Sequence, residues 1–427
     1  MVARKLVLPT TAAGSSLLLG WLSTSGLAWF APSVFILIGL LFLLLRSSIR
    51  AIAPCAVGIL LIIASTTTFL SNTDTVTSVV LRMAGIAVII LSGFESSNRT
   101  GIYDGKPEAR SEAMRSWLIW LVLAFLLYLS LSTAFHGQWT NFILYGIGVS
   151  LLAIMFLATT IGVPHEVMAK GAISALAIVM VLSVAYGWTM PSVGIAGERL
   201  RGITANANTL GFYAFLLGSL ALIVVKQTSA RIVLFTLSTG VIVWTSSRSS
   251  MLALAIVVVC VLLSRKSVTS AFALVSVTGA GVISWVGWIG LSGMQDGIFR
   301  SNDSRSASFD SAIQAFRSSP LIGIGMGNSP DEIASSPLRA LAFAGIGGLL
   351  AVIVLWVSLL WFSRQGGIRA VGFAGAAIVH SLFEGWLLSP IGPLLLIFVL
   401  CWWVIARHPS TTANRPQAQS AMHHRAS

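Results

Sequence analysis

Windows of about twenty apolar residues recur through almost the whole chain, each long enough to cross a bilayer as a helix whose backbone groups bond one another. They fall at 6–24, 27–45, 51–70, 76–94, 115–134, 140–161, 169–187, 207–225, 230–246, 249–264, 268–290, 339–363, 369–386 and 390–406. The first two form one apolar region with a weak break near Ser25 and Gly26, so the pattern predicts twelve to fourteen spans. Only 9% of the residues are charged and 56% are hydrophobic, whereas a soluble domain carries about a quarter charged. The expected fold is an all-α polytopic membrane protein, one transmembrane domain over 1–406 with a polar, disordered cytoplasmic tail over 407–427. Arg4 and Lys5 precede the first apolar run without a small-residue cleavage site, which predicts a retained span. Cys55, Cys260 and Cys401 lie singly in apolar segments without ligand or redox spacing, so they read as buried small hydrophobes. No metal and no cofactor is expected.

A net charge of +13 in a soluble chain would suggest nucleic acid as a partner. The distribution of the charge argues against that here. With the N-terminus inside, 18 of the 26 basic residues fall on the cytoplasmic side, as positive-inside requires. The other eight are Arg82, Arg199, Arg201, Arg248, Arg300, Arg305, Arg317 and Arg339, all arginine and all on the opposite side or just within a span. Guanidinium stays charged and grips phosphate or carboxylate oxygens with two parallel N–H groups. The asymmetry therefore predicts an anionic ligand at the outer face. Pairing with Asp296, Asp303, Asp310, Asp331 or Glu332, or reaching to lipid head groups, is the alternative for any one of the eight.

The longest polar interruption, Leu291 to Leu338, is expected to be an extracytoplasmic loop that roofs a site. Within it, Ser304 to Ser319 reads as a short amphipathic helix with Phe309, Ile313 and Phe316 on one face. The run Gly323-Ile324-Gly325-Met326-Gly327 follows, read either as close backbone approach to an anion or as a tight turn packed on the bundle. It lacks the Lys-Ser/Thr ending of a nucleotide loop. Arg82 lies inside the fourth span, where a charge costs about 2.5–3.5 kcal/mol unless it faces a cavity or partner. Arg199 and Arg201 precede Gly202, and Asn206 and Asn208 sit where the next helix starts, a place that attracts anions. Arg248 occupies a tight turn among four serines, expected to be held against the bundle. His380 and Glu384, four apart, are expected to share a helical face. His136 and His165 read as solvated loop histidines, and Glu95 to Arg115 as a cytoplasmic loop.

Arg199 to Gly211, Thr245 to Ser250, Pro320 to Gly325 and Leu338 to Leu349, in that order, resemble the O-antigen ligase and O-antigen polymerase superfamily of bacterial envelope glycosyltransferases. The resemblance covers about the C-terminal half; the N-terminal half matches in hydropathy alone. It implies transfer or polymerisation of glycan from a polyprenyl-diphosphate donor to a glycan or lipid acceptor, without metal, at the outer face of the cytoplasmic membrane. Arg199, Arg201 and Arg248 would then hold diphosphate, and Arg300, Arg305 and Arg317 diphosphate or glycan. The ligase branch carries a His-Asn pair just before the segment corresponding to Leu338 to Gly345; here Ala334, Ser335 and Ser336 stand there. His380 or Glu384 is left as the candidate base.

The residues expected to bind substrate are thus Arg82, Arg199, Arg201, Asn206, Asn208, Arg300, Arg305, Arg317, Gly323, Gly325 and Arg339, with Arg248, His380 and Glu384 expected to be catalytic. Besides its substrates, the chain's partners are membrane lipids, with no nucleic acid. A transporter of a lipid-linked or anionic solute is the rival, but it needs a polar path through both leaflets, and the inner halves of these spans are apolar. A non-catalytic partner in envelope assembly is the other.

Overall fold

The computed structural model describes residues 52–68, 75–100, 109–264, 304–326, 328 and 333–408. Among them are thirteen α-helices: α1 Ile52–Ala64, α2 Thr75–Thr100, α3 Ala109–Ser132, α4 Trp139–Gly162, α5 His165–Thr189, the single turn α6 Pro191–Gly194, α7 Ala207–Ile223, α8 Thr228–Thr245, α9 Arg248–Leu263, α10 Ser304–Ser318, α11 Ser336–Ser363, α12 Ile368–Phe383 and α13 Pro393–Arg407. Eleven of the expected spans are helices; those at 6–24, 27–45 and 268–290 lie outside the described residues, as do 409–427 of the tail. The protein is an all-α polytopic membrane protein. Five segments, Leu118–His136, Trp139–Gly162, His165–Thr189, Thr228–Thr245 and Ser336–Gly366, are long and apolar enough to cross a membrane, and six further apolar helices are shorter.

The core forms around α7 and α13, which are apolar on every side and correspondingly buried on every side. α7 packs against α5, α8, α9 and α13. At its N-terminal end Gly211 admits α9 so closely that a Cβ would stand 2.6 Å from that of Ser247. Trp402 and Trp403 of α13 are fully buried, and the Trp402 indole N–H donates to Ser363 Oγ at 2.8 Å. The three cysteines are free, with Cys55 and Cys401 buried and Cys260 partly exposed.

Several local expectations change. Helix α2 runs to Thr100 and α3 begins at Ala109, so most of the expected Glu95 to Arg115 loop is helical. α1 stops at Ala64, and residues beyond it pair as extended chain with the segment before α7: Thr68 N donates to Ile203 O at 3.1 Å and Ala205 N to Thr66 O at 2.9 Å. A small hairpin also appears, Ile195–Ala196 (β1) against Arg199–Leu200 (β2), turning through Gly197 and Glu198 at φ 51° and 64°.

α10 forms where the periodicity predicts, but it seats its small side on the bundle. Ala312 is fully buried with Ile333, Ala342 and Phe343, whereas Phe309 is 50% exposed. α11 is broken at Gly345, whose φ of 61° and ψ of −151° leave the helical region. Such a break inside apolar surroundings frees backbone groups that need new partners. Ile346 N donates to Pro320 O at 2.9 Å; Ala342 O accepts from Ile324 N at 2.9 Å and Phe343 O from Gly325 N at 3.1 Å. The glycine run is thus the segment that repairs the broken helix, and at Gly323 no Cβ fits, since one there would lie 2.3 Å from Ala344 N.

Candidate active site

Five chain segments meet at one end of the bundle: the β1–β2 hairpin, the start of α7, the α8–α9 turn, the start of α11 and the end of α12. Asn206 caps α7, its Oδ1 accepting the Asn208 N–H at 2.8 Å. Asn208, half-buried, then bridges two charged groups. Its Oδ1 accepts from Arg199 Nη2 at 2.5 Å, and its Nδ2 donates to Glu384 Oε1 at 2.8 Å. Arg199 is fixed in turn by its Nε, which donates to Thr245 O at 2.8 Å. A guanidinium, an amide and a carboxylate from three elements are therefore in line.

Glu384 does not share a helical face with His380. α12 ends at Phe383 and Glu384 is extended, with φ −137° and ψ 137°, which swings its carboxylate towards Asn208. The turn is clamped by the start of α11: Ser336 Oγ donates to Glu384 O at 2.7 Å, and Arg339 donates from Nη1 to Gly385 O at 3.2 Å and from Nε to Ile333 O at 3.1 Å. A Cβ on Gly385 would stand 2.8 Å from Arg339 Cζ and 3.1 Å from Ala334 O. Glu384 and Gly385 thus pack directly on Ala334 to Ser336.

His380 is 1% exposed, and both ring nitrogens are occupied. The Trp386 indole N–H donates to Nδ1 at 3.0 Å, so the neutral ring carries its proton on Nε2, which faces Ser250 Oγ at 3.2 Å and Ser249 Oγ at 3.4 Å. Phe212 stands edge-on to the ring at 4.7 Å between centroids. Both nitrogens of this buried ring are thus engaged within the protein.

The remaining arginines divide. Arg201 turns away from Arg199, donating from Nε to Val193 O, and Gly202 beside it is packed on Ser183. Arg248 opens α9 and is exposed, while Ser247, Ser249 and Ser250 around it are buried; the turn holds its serines inward and presents its arginine. Arg317 is exposed on α10, Arg305 lies in the first turn of α10, and Arg300 lies outside the described residues. Gly323 N donates to Ser319 O at 2.9 Å and Gly325 N to Phe343 O. Those two N–H groups are engaged, so the packed turn, and not an anion nest, is the reading that fits.

Arg82 stands apart, donating from Nε to Ser65 Oγ at 3.0 Å. It lines a cavity of about 430 Å³ with Ser65, Ser78, Thr209, Trp386 and Ser389. His136 is no solvated loop residue: its Nε2 lies 2.9 Å from Gly323 O and its Nδ1 3.1 Å from Leu131 O, so it clips the glycine run to the end of α3. His165 is likewise anchored, Nε2 to Val404 O at 2.6 Å.

Residues 232–343 match the family model described as O-antigen ligase. That stretch, about a quarter of the chain, is what is similar to the O-antigen ligase family. It runs from Ile232 in α8 to Phe343 in α11, and so takes in Thr245, Arg248, α10 and Arg339 while leaving out Arg199, Asn208 and Glu384. No curated protein matches the chain.

Proposed function

We propose that this chain is a membrane glycosyltransferase that moves glycan from a polyprenyl-diphosphate donor onto a glycan or lipid acceptor, at the outer face of a bacterial cytoplasmic membrane. The observation that carries the reading is the line from Arg199 through Asn208 to Glu384, set against Ala334 to Ser336, the position where the ligase branch carries His-Asn. Glu384, just past the end of α12, packs its backbone on that place and turns its carboxylate to Asn208. The acceptor hydroxyl oxygen attacks the donor's anomeric carbon, the bond from that carbon to the diphosphate oxygen breaks with its electron pair, and the hydroxyl proton passes to Glu384. Charge grows on the leaving diphosphate, and cations held in place before the reaction stabilise it most in the transition state. Arg339, whose hydrogen-bond partners among the described residues are two neutral carbonyls, and the exposed Arg248 are the cations assigned to it. The facing is supported by the described cations of the opposite end, Lys170, Lys226, Arg231, Arg364, Arg369 and Arg407, which fit positive-inside.

The test is turnover by purified protein in lipid nanodiscs, given a polyprenyl-diphosphate glycan and an acceptor, with products read by mass spectrometry. Glu384→Gln is expected to lower kcat by about 10²–10⁴-fold while the donor KM changes little. A Glu384→Gln protein with wild-type kcat removes the base, and a wild-type protein without turnover removes the reading.

A further inference from the structure

The Arg82 cavity lies outside the line from Arg199 through Asn208 to Glu384, although it borders it. Thr209 follows Asn208 on α7, and Trp386 follows Gly385. Arg82 is the eighth residue of α2, two turns into an apolar helix, where a charge is retained when it faces a polar space with work to do. Among the described residues its one hydrogen bond is from Nε to the Ser65 hydroxyl, so both Nη groups, the fork that grips carboxylate or phosphate, are left without a protein acceptor. The wall is mixed. Thr209 and Ser389 bring hydroxyls that bond no other group among the described residues, while Trp386 and Leu394 bring apolar surface. A volume of about 430 Å³ lies in the range of small-molecule sites.

A pyranose has an apolar C–H face and a rim of hydroxyls, which suits an indole and an aliphatic wall beside Thr and Ser hydroxyls. The unmatched guanidinium adds a demand that a neutral sugar does not meet. We propose that this cavity binds a negatively charged sugar of the acceptor, one bearing a carboxylate or a phosphate, and so selects acceptors by charge. The proposal rests on the glycosyl-transfer reading for its biological setting and adds a separate subsite to it.

Ligand-observed NMR on the full-length protein in nanodiscs tests it, with D-glucuronate, D-glucose 6-phosphate, D-glucose and pyrophosphate as probes. One charged sugar is expected to bind at least about tenfold more tightly than glucose, and which one does so separates carboxylate from phosphate. Arg82→Gln is expected to reduce that charged sugar to the affinity of glucose, Arg82→Lys to restore part of the preference, and Thr209→Val to weaken binding about threefold even if Arg82→Gln does not fold. Arg248→Gln is expected to keep the charged-sugar affinity while losing transfer. Equal affinity for charged and neutral sugars, no binding of either, or an unchanged Arg82→Gln overturns the proposal. So does pyrophosphate displacing the sugar in an Arg82-dependent way, because the cavity then holds the donor. Charged-sugar binding by a wild-type protein that never turns over leaves the cavity standing and sinks the glycosyl-transfer reading alone.

Discussion

Asn208 is the joint of the proposed machinery, and two substitutions there separate a catalytic from a merely structural role. Asn208→Ala removes a bond from Arg199 at 2.5 Å and one to Glu384 at 2.8 Å. A hydrogen bond to a charged group contributes about 1.5–3 kcal/mol. If Glu384 loses one such restraint in the transition state, kcat falls by about 10–150-fold at 1.36 kcal/mol per decade. Asn208→Asp is the sharper probe. It keeps an acceptor for Arg199 but turns an oxygen towards Glu384, and two carboxylates at that 2.8 Å separation repel by about 6 kcal/mol at an effective dielectric of 20. Such a pair keeps a proton, which raises the apparent pKa of the pair above that of a lone carboxylate. The base is then blocked at neutral pH and freed as the pH rises. In the nanodisc transfer assay Asn208→Asp is therefore expected to be less active than Asn208→Ala at pH about 7, and to recover towards it on the alkaline side. Asn208→Asp within threefold of wild type at neutral pH would refute the reasoning.

Three further outcomes are expected. Arg248→Lys keeps the charge but not the planar fork, so it loses most transfer activity; wild-type turnover by that variant counts against diphosphate binding at this residue. Gly345→Ala places a Cβ 2.5 Å from the Pro320 carbonyl at a φ of 61°, so it destabilises the protein by at least about 2 kcal/mol and speeds hydrogen exchange at Ile324 and Gly325; normal exchange there would show that the repair is not needed. His408 stacks on His165 at 6.0 Å, and burial with nearby His165, Arg369 and Lys226 pushes its pKa below the ordinary histidine value. A histidine depressed in the folded state stabilises above its unfolded pKa and loses that contribution as the pH falls below it, so the thermal midpoint should drop from pH about 7 to about 5, and drop less in His408→Gln.

The spans were legible because an apolar run of membrane length has few other solutions, and a helix start at Asn206 or Asn208 was legible because such a signal is local. α10 was legible in place but not in facing. Its phenylalanines look like the buried side, yet the close contact with Ala342 and Phe343 admits alanine there and leaves Phe309 out. The Asn208 to Glu384 bond joins residues 176 apart in sequence, and nothing near either announces the other. His380 and Glu384 looked like a pair at helical spacing, but the helix ends one residue too soon. The clip at His136 depends on a carbonyl 187 residues away, equally out of reach of local patterning. The hairpin was the nearest miss, since a glycine between two short β-compatible pairs was visible in Ile195 to Leu200.

The interruption at Gly345 divides α11 into mechanically distinct parts. Residues 346–363 belong to the membrane-crossing shaft. Ser336 to Ala344 are tied instead to α10 and the strip from Pro320 to Gly325, and this same short piece holds Glu384 and Gly385 through Ser336 and Arg339. A displacement of α10 would therefore reach the backbone at Glu384 and Gly385 through this two-turn piece, with no need for the residues past Gly345 to move.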